Sequence, residues 1–267
     1  MNPNPPNDPV DQPIHTRIWR ETPEAANPFA ARAAHCHGYD VYGELVGRAS
    51  WAEMMLLLWR GERPAPADAR LLEALAVALA NAGPRDPAVH AAMCGAVGGS
   101  PAAACLMAAL GVGAGRLAGG QEVALAMQAW QRCGTDAAAW QSMLARPAAE
   151  AESIWPAAEH APGFEAHGER CAGIVVQALA ALAAISPGSR LRWLQAHRET
   201  LEAAAGRPLA MAGVAAAALA DLQLDAAQAD MLWLLLRLPG AAAHALEQRL
   251  AYKRFPFFAH EITDEHA

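Results

Sequence analysis

Alanine fills about a quarter of this chain's 267 positions and comes in runs such as Ala102-Ala103-Ala104, Ala137-Ala138-Ala139 and Ala215 to Ala218. Alanine has the highest helix propensity of all residues, whereas strands favour β-branched and aromatic side chains, and aromatics are only 6% of this sequence. The expectation is an all-α protein whose helix backbones approach one another closely. Apolar residues total 54% and charged residues 18%, which excludes a disordered chain and supplies ample material for a core.

Helix start and stop signals divide the chain. Ser50 with Glu53 three residues on has capping-box spacing, and Gly61 ends the helix they open. Pro66 opens a Leu-rich helix stopped by Gly83-Pro84. Further helices are expected over 86–97, 100–112, 121–133 and 136–144, then, after an irregular stretch from Arg146 to Gly168, over 171–185, 189–205, 209–222, 225–236 and 241–252. No strand-period alternation of useful length stands out. Residues 1–13, rich in Pro and Asn, read as a disordered leader, and 258–267 as a mobile tail.

From Pro87 to Gly115 no formally charged residue occurs. That is longer than the ~20 residues of a membrane span. Its Gly/Ala content and the Ser100-Pro101 interruption fit two short helices at a helix or subunit interface better, so no membrane partner is expected. Net charge is −7, from 20 basic and 27 acidic residues. No basic stripe is present, which argues against nucleic acid. Five cysteines, without a C-x-x-C pair, point to a reducing cytoplasm rather than a disulfide framework. His35-Cys36-His37 lacks companion ligands at zinc spacing, so no metal is expected. Cys171 opens an apolar helix and reads as packing rather than as a nucleophile.

Five segments carry a family resemblance. HGYDVYGELVGRASWAEMMLLLWRGERP (37–64), GRLAGGQEV (115–123), APGFEAHGER (161–170), RPLAMAGVAAAALADLQLD (207–225) and LLRLPGAAAHALEQ (235–248) keep order and spacing over nearly the whole chain. They resemble the citrate synthase superfamily, and the short length and Ile14-to-Ile18 opening are more like its citryl-CoA lyase branch. The resemblance implies a large helical domain, residues 14–118 and 207–257, with a smaller helical domain, 119–206, inserted. It also implies a homodimer and a cleft for a CoA thioester and a 2-oxo, di- or tricarboxylic acid. No covalently bound cofactor is expected.

The family's reaction uses an Asp base at the thioester methyl, one His on the enol oxygen, a second His on the keto group, and Arg residues on carboxylates. The first His position is Ala118 here and the Asp position is Ala212. The second His aligns with Ala166, although His167 fills it after a one-residue shift, beside Glu165. His167 and Glu165 are therefore the catalytic candidates. Arg237, His244, Gly119 and Gly120 are the substrate-binding candidates. Each has a structural reading beside the functional one: Arg237 as an ion-pair partner, His244 as a structural histidine, the glycines as a tight turn. His160, Glu159, Glu165 and His167 form the richest polar cluster. Two functions remain open: a CoA-thioester enzyme with a degenerate or rearranged site, or a non-catalytic homologue that binds ligand or serves as a partner subunit.

Overall fold

The computed structural model describes residues 15–145 and 160–250. The expected leader, tail and Glu159 lie outside the described residues. The chain divides into two compact units, Met1–Ala65 and Pro66–Ala267.

The first unit holds a small sheet that the sequence, without strand-period alternation of useful length, does not announce. β1 (Trp19–Pro23), β2 (Ala31–Cys36) and β3 (Tyr39–Asp40) make an antiparallel sheet in that order. The signal was weak because β1 is almost wholly exposed and so carries no apolar alternation, and only Ala34 and Cys36 of β2 point inward. His37 and Gly38, both at positive φ (47° and 93°), turn the chain from β2 into β3, as primed two-residue hairpin turns require. Asp40 then accepts from Tyr42 and Gly43 and starts a π-helical turn, Val41–Leu45. α1 (Trp51–Arg60) begins with the expected reciprocal Ser50–Glu53 capping box and ends at left-handed Gly61. Cys36, Leu45 and Leu57 form this unit's core.

The second unit is helical: α2 (Pro66–Leu79), α3 (Pro87–Val97), α4 (Ala102–Gly113), α5 (Gly120–Cys133), α6 (Ala137–Leu144), α7 (Gly173–Ile185), α8 (Arg190–Ala205), α9 (Met211–Asp221) and α10 (Ala226–Leu250). At its centre lies α9, in which every residue from Ala212 to Asp221 is buried. A helix apolar all round must be enclosed; α2, α5, α7, α8 and α10 all pack on it. Its small side chains permit this crowding. α3 and α4 form a hairpin against α10, around Val89, Ala92, Met93, Ala96, Cys105, Ala109, Ala241 and Ala245. The uncharged 87–115 stretch is thus a pair of intramolecularly packed helices, and among the described residues no helix is long and apolar enough to cross a membrane.

One boundary differs from expectation. Pro239-Gly240 does not separate two helices; α10 runs through it. Pro239 cannot donate a hydrogen bond, so the helical ladder is interrupted there. The next N–H, that of Gly240, donates instead to the carbonyl of Ala80 at the end of α2, at 2.7 Å. A Cβ on Gly240 would lie 2.5 Å from that oxygen. The Pro-Gly pair therefore seats α2 against α10 instead of ending α10.

Candidate functional site

The ends of α2, α3, α5, α7 and α9, the middle of α10 and the loops between them build one cleft. The segment 160–168 is fastened to the start of α9 backbone to backbone: Glu165 donates to Pro208 O at 2.8 Å and Ala210 donates to Gly163 O at 3.0 Å. Gly163 sits at φ 88° and packs so tightly on Gly213 that a side chain on either would clash with the other's backbone. This juxtaposition places Ala166 and His167 beside Ala212.

The turn into α5 supplies the opposite wall. Ala118 is left-handed, with φ 52°, a conformation that costs an L-residue about 1–2 kcal/mol. Both of its peptide groups are held. Its N–H donates to Glu122 Oε2 at 2.5 Å, and its carbonyl accepts from Arg237 Nη1 at 2.8 Å. Behind it, a Cβ on Gly119 would lie 2.2 Å from Gly115 O, and one on Gly120 would lie 2.0 Å from Asp230 Oδ1. Close packing accounts for both glycines, and neither lines the cleft.

The cleft has a volume of about 470 Å³, within the range of small-ligand sites. Its walls bring together Ala118, Glu165, Ala166, His167, Ala212 and Arg237, residues spread over 120 positions of sequence. His244 lies outside it, half-buried on α10, within 3.2 Å of Asn81 Oδ1 and 3.4 Å of Glu247. Arg237 proves heavily engaged. It forms an ion pair with Asp86, which itself caps α3 by accepting from Ala88 and Val89, and its guanidinium lies 4.5 Å from the centre of the Trp233 ring. Both side chains of the ion pair are about nine-tenths buried.

Sequence reasoning missed Glu122. Its side chain is only 4% exposed, and besides Ala118 it accepts from Gly163 N–H at 3.1 Å. It therefore ties the 118 turn to the 163 loop. His160, 6% exposed, approaches the oxygen that accepts from Gly163, Oε1, at 3.8 Å. The available signal was a lone acid in the first turn of an otherwise apolar-faced helix, where the helix dipole favours negative charge. Arg85 was also missed. It lies in the loop before α3, lines the cleft, is exposed, and has no acidic partner among the described residues.

Glu165 is the perturbed titrating group. Burial raises its carboxyl above the ordinary range, the Glu122 charge raises it further, and His160 and His167 pull the other way. Chemically, the cleft offers one carboxyl inclined to hold a proton, two imidazoles, fixed positive charge, and methyl groups at 118, 166 and 212. Cys171 lies outside it; burial and Glu202 push its thiol up, which disfavours the nucleophilic thiolate. Among the described residues no three His, Cys, Asp or Glu converge as a metal would need.

No protein-family model matches the chain, and no curated protein sequence does. Solved structures do. Citryl-CoA lyase from Hydrogenobacter thermophilus superposes with a TM-score of 0.69 at 21% identity, covering 96% of this chain and 93% of that one. ATP citrate lyase from Methanothrix soehngenii, in complex with citrate and coenzyme A, gives 0.69 at 17% identity, over 99% of this chain and 46% of that chain. An aspartate-to-alanine variant of ATP citrate lyase from Methanosaeta concilii, in complex with (3S)-citryl-CoA, gives 0.69 at 17% identity, over 96% and 43%. The chain thus spans nearly the whole of the first structure and under half the length of the other two. Its fold is the all-α, citrate synthase-like fold of citryl-CoA lyase.

Proposed function

We propose that this protein binds a CoA thioester together with a 2-oxo or polycarboxylic acid in the cleft around Ala118, Ala166 and Ala212, at a site of citrate synthase or citryl-CoA lyase type that has lost its ordinary acid–base groups. The observation that carries the reading is the meeting of those three alanines with Glu165, His167 and Arg237 in a single cleft. The fold is shared with structures described as holding citrate, coenzyme A and citryl-CoA. Fold alone does not assign function; the cleft adds a place of suitable size, with fixed positive charge and proton-carrying groups.

Alanine cannot carry a proton or donate to an oxyanion. A general base contributes about 10²–10⁴-fold to rate and an oxyanion donor about 10²–10³-fold. Condensation of acetyl-CoA with oxaloacetate is therefore expected to run at least about 10³-fold below an ordinary enzyme. Glu165 and His167 are the proposed proton carriers, and a homodimer acting in the cytoplasm completes the proposal. A non-catalytic partner subunit with the same ligands is the second reading, favoured by the loss at both 118 and 212.

Titration of the full chain with acetyl-CoA, CoA, citrate and oxaloacetate by calorimetry tests the binding. Failure of every one of them to bind overturns it. Ala118→His with Ala212→Asp is expected to raise condensation activity above the unmodified protein, because both positions face the same cleft. Turnover by the unmodified protein at ~1–10³ s⁻¹, the ordinary enzyme range, would show that the reaction has no need of those two groups.

A further inference from the structure

We propose that Arg85 is the cation that receives a ligand carboxylate in this cleft, and that the cleft takes a 2-oxo acid with one carboxylate and an apolar chain in preference to a tricarboxylate. The inference rests on the function proposed above and narrows its acid.

The argument is one of charge already in use. Arg237 donates to Asp86 and to Ala118 O, and one face of its guanidinium lies over Trp233. Its fork, the feature that suits arginine to carboxylates, is already used, Nη2 by the Asp86 carboxylate and Nη1 by the Ala118 carbonyl. A ligand using Arg237 would displace Asp86 and strand a nearly buried carboxylate, which is costly. Arg85 lies next to Asp86 in the chain and lines the cleft, and no acid pairs with it among the described residues. Among the described residues that line the cleft, it is the arginine left over.

The remaining charges set how many carboxylates can enter. Asp86 is cancelled by Arg237. Glu122, held by two backbone N–H groups and flanked by His160, brings one negative charge to the wall. Glu165 adds a second whenever it is ionised, with His167 exposed beside it. A tricarboxylate would place three negative charges near these, and among the described lining residues Arg85 is the one arginine without an acidic partner to offset them. Like charges brought together in a partly enclosed cleft oppose each other more strongly than in bulk water. A single carboxylate meets Arg85 without that conflict. Most of the remaining lining is apolar: Leu117, Phe164, Ile174, Met211 and Trp233, with methyl groups at 118, 166 and 212; Asn81 is the polar exception, and its Oδ1 already accepts from Gly83 N–H. Such a surface accepts a hydrocarbon chain and leaves the hydroxyl and extra carboxylates of citrate without partners.

The test is calorimetric titration of the full chain at pH 7 with α-ketoisocaproate and with citrate, for the unmodified protein, Arg85→Leu and Arg85→Lys. The expected result is at least tenfold tighter binding of α-ketoisocaproate than of citrate. Arg85→Leu should weaken α-ketoisocaproate about tenfold or more, as loss of a charged hydrogen bond does, and Arg85→Lys should recover part of the loss. Arg85 is exposed, so thermal melting should be alike in all three proteins; a shared melting point makes the comparison one of ligand contact. Citrate binding as tightly as α-ketoisocaproate, or Arg85→Leu binding it unchanged, overturns this inference and leaves the proposed function standing. Binding of neither acid overturns the acid half of the proposed function, and this inference with it.

Discussion

Glu165 shows how one residue reports on its surroundings. Its folded-state carboxyl holds its proton to a higher pH than it would in the unfolded chain, chiefly through burial. The folded state therefore binds more protons in the interval between the two values. A raised carboxyl favours folding at pH values below its unfolded pKa, and that advantage is lost as pH rises through the folded value. Glu165→Gln, neutral throughout, is expected to flatten the stability profile across that acidic window and to raise stability above it. Urea unfolding of both proteins at several pH values checks this; parallel profiles would mean that Glu165 is freely solvated. Residues 118, 166 and 212 were readable as alanines in polar positions only through the family resemblance, because nothing in an alanine's own neighbourhood announces a missing side chain. Glu122 and Arg85 were not legible. Their importance lies in partners roughly 40 residues or more away in sequence, or in the lack of a partner, and sequence spacing records neither.

At the scale of elements, α8 is capped from outside itself. Asp221, at the end of α9, accepts from Arg190 and Leu191 N–H at 2.9 and 3.1 Å and from Ser186 Oγ at 2.7 Å. Ser189, the residue at the N-cap of α8, makes no side-chain cap bond. Replacing a cap residue by Ala costs about 0.5–2 kcal/mol, and each buried donor left unpaired adds about 1–3 kcal/mol. Asp221→Ala is accordingly expected to destabilise the protein by about 3 kcal/mol, read as a lower urea midpoint; a change under about 0.5 kcal/mol would mean that Ser189 or water takes over. Helix existence and most boundaries were legible, because Gly61, Gly83-Pro84, Asp86, Asp136 and Gly206 punctuate strong helix formers. Two elements were misread for physical reasons. The small sheet has too few inward side chains to show a period of two, and the Pro-Gly of α10 acts through a neighbouring carbonyl that lies 160 positions earlier.

For the whole molecule, the packing of α3 and α4 leaves an outward strip on α4 formed by Ala103, Met107, Gly111 and Ala114, with exposed Val112 and Leu117 beyond it. Contiguous apolar surface of this kind marks contact sites on proteins. The proposed homodimer would cover it, since small residues let a second helix come close. Light scattering at micromolar concentration should give a mass near twice 28.0 kDa, and Met107→Glu should shift it toward the monomer. A monomeric mass for the unmodified chain would remove the dimer from the proposal. Glu122 carries a different consequence at this scale. A single carboxylate is the knot between the turn that opens α5 and the loop that leads to α7, and Arg237 pins the same turn from a third side. Moving one bank away from the other therefore requires breaking a hydrogen bond to this buried carboxylate, so Glu122 couples the two sides of the cavity mechanically.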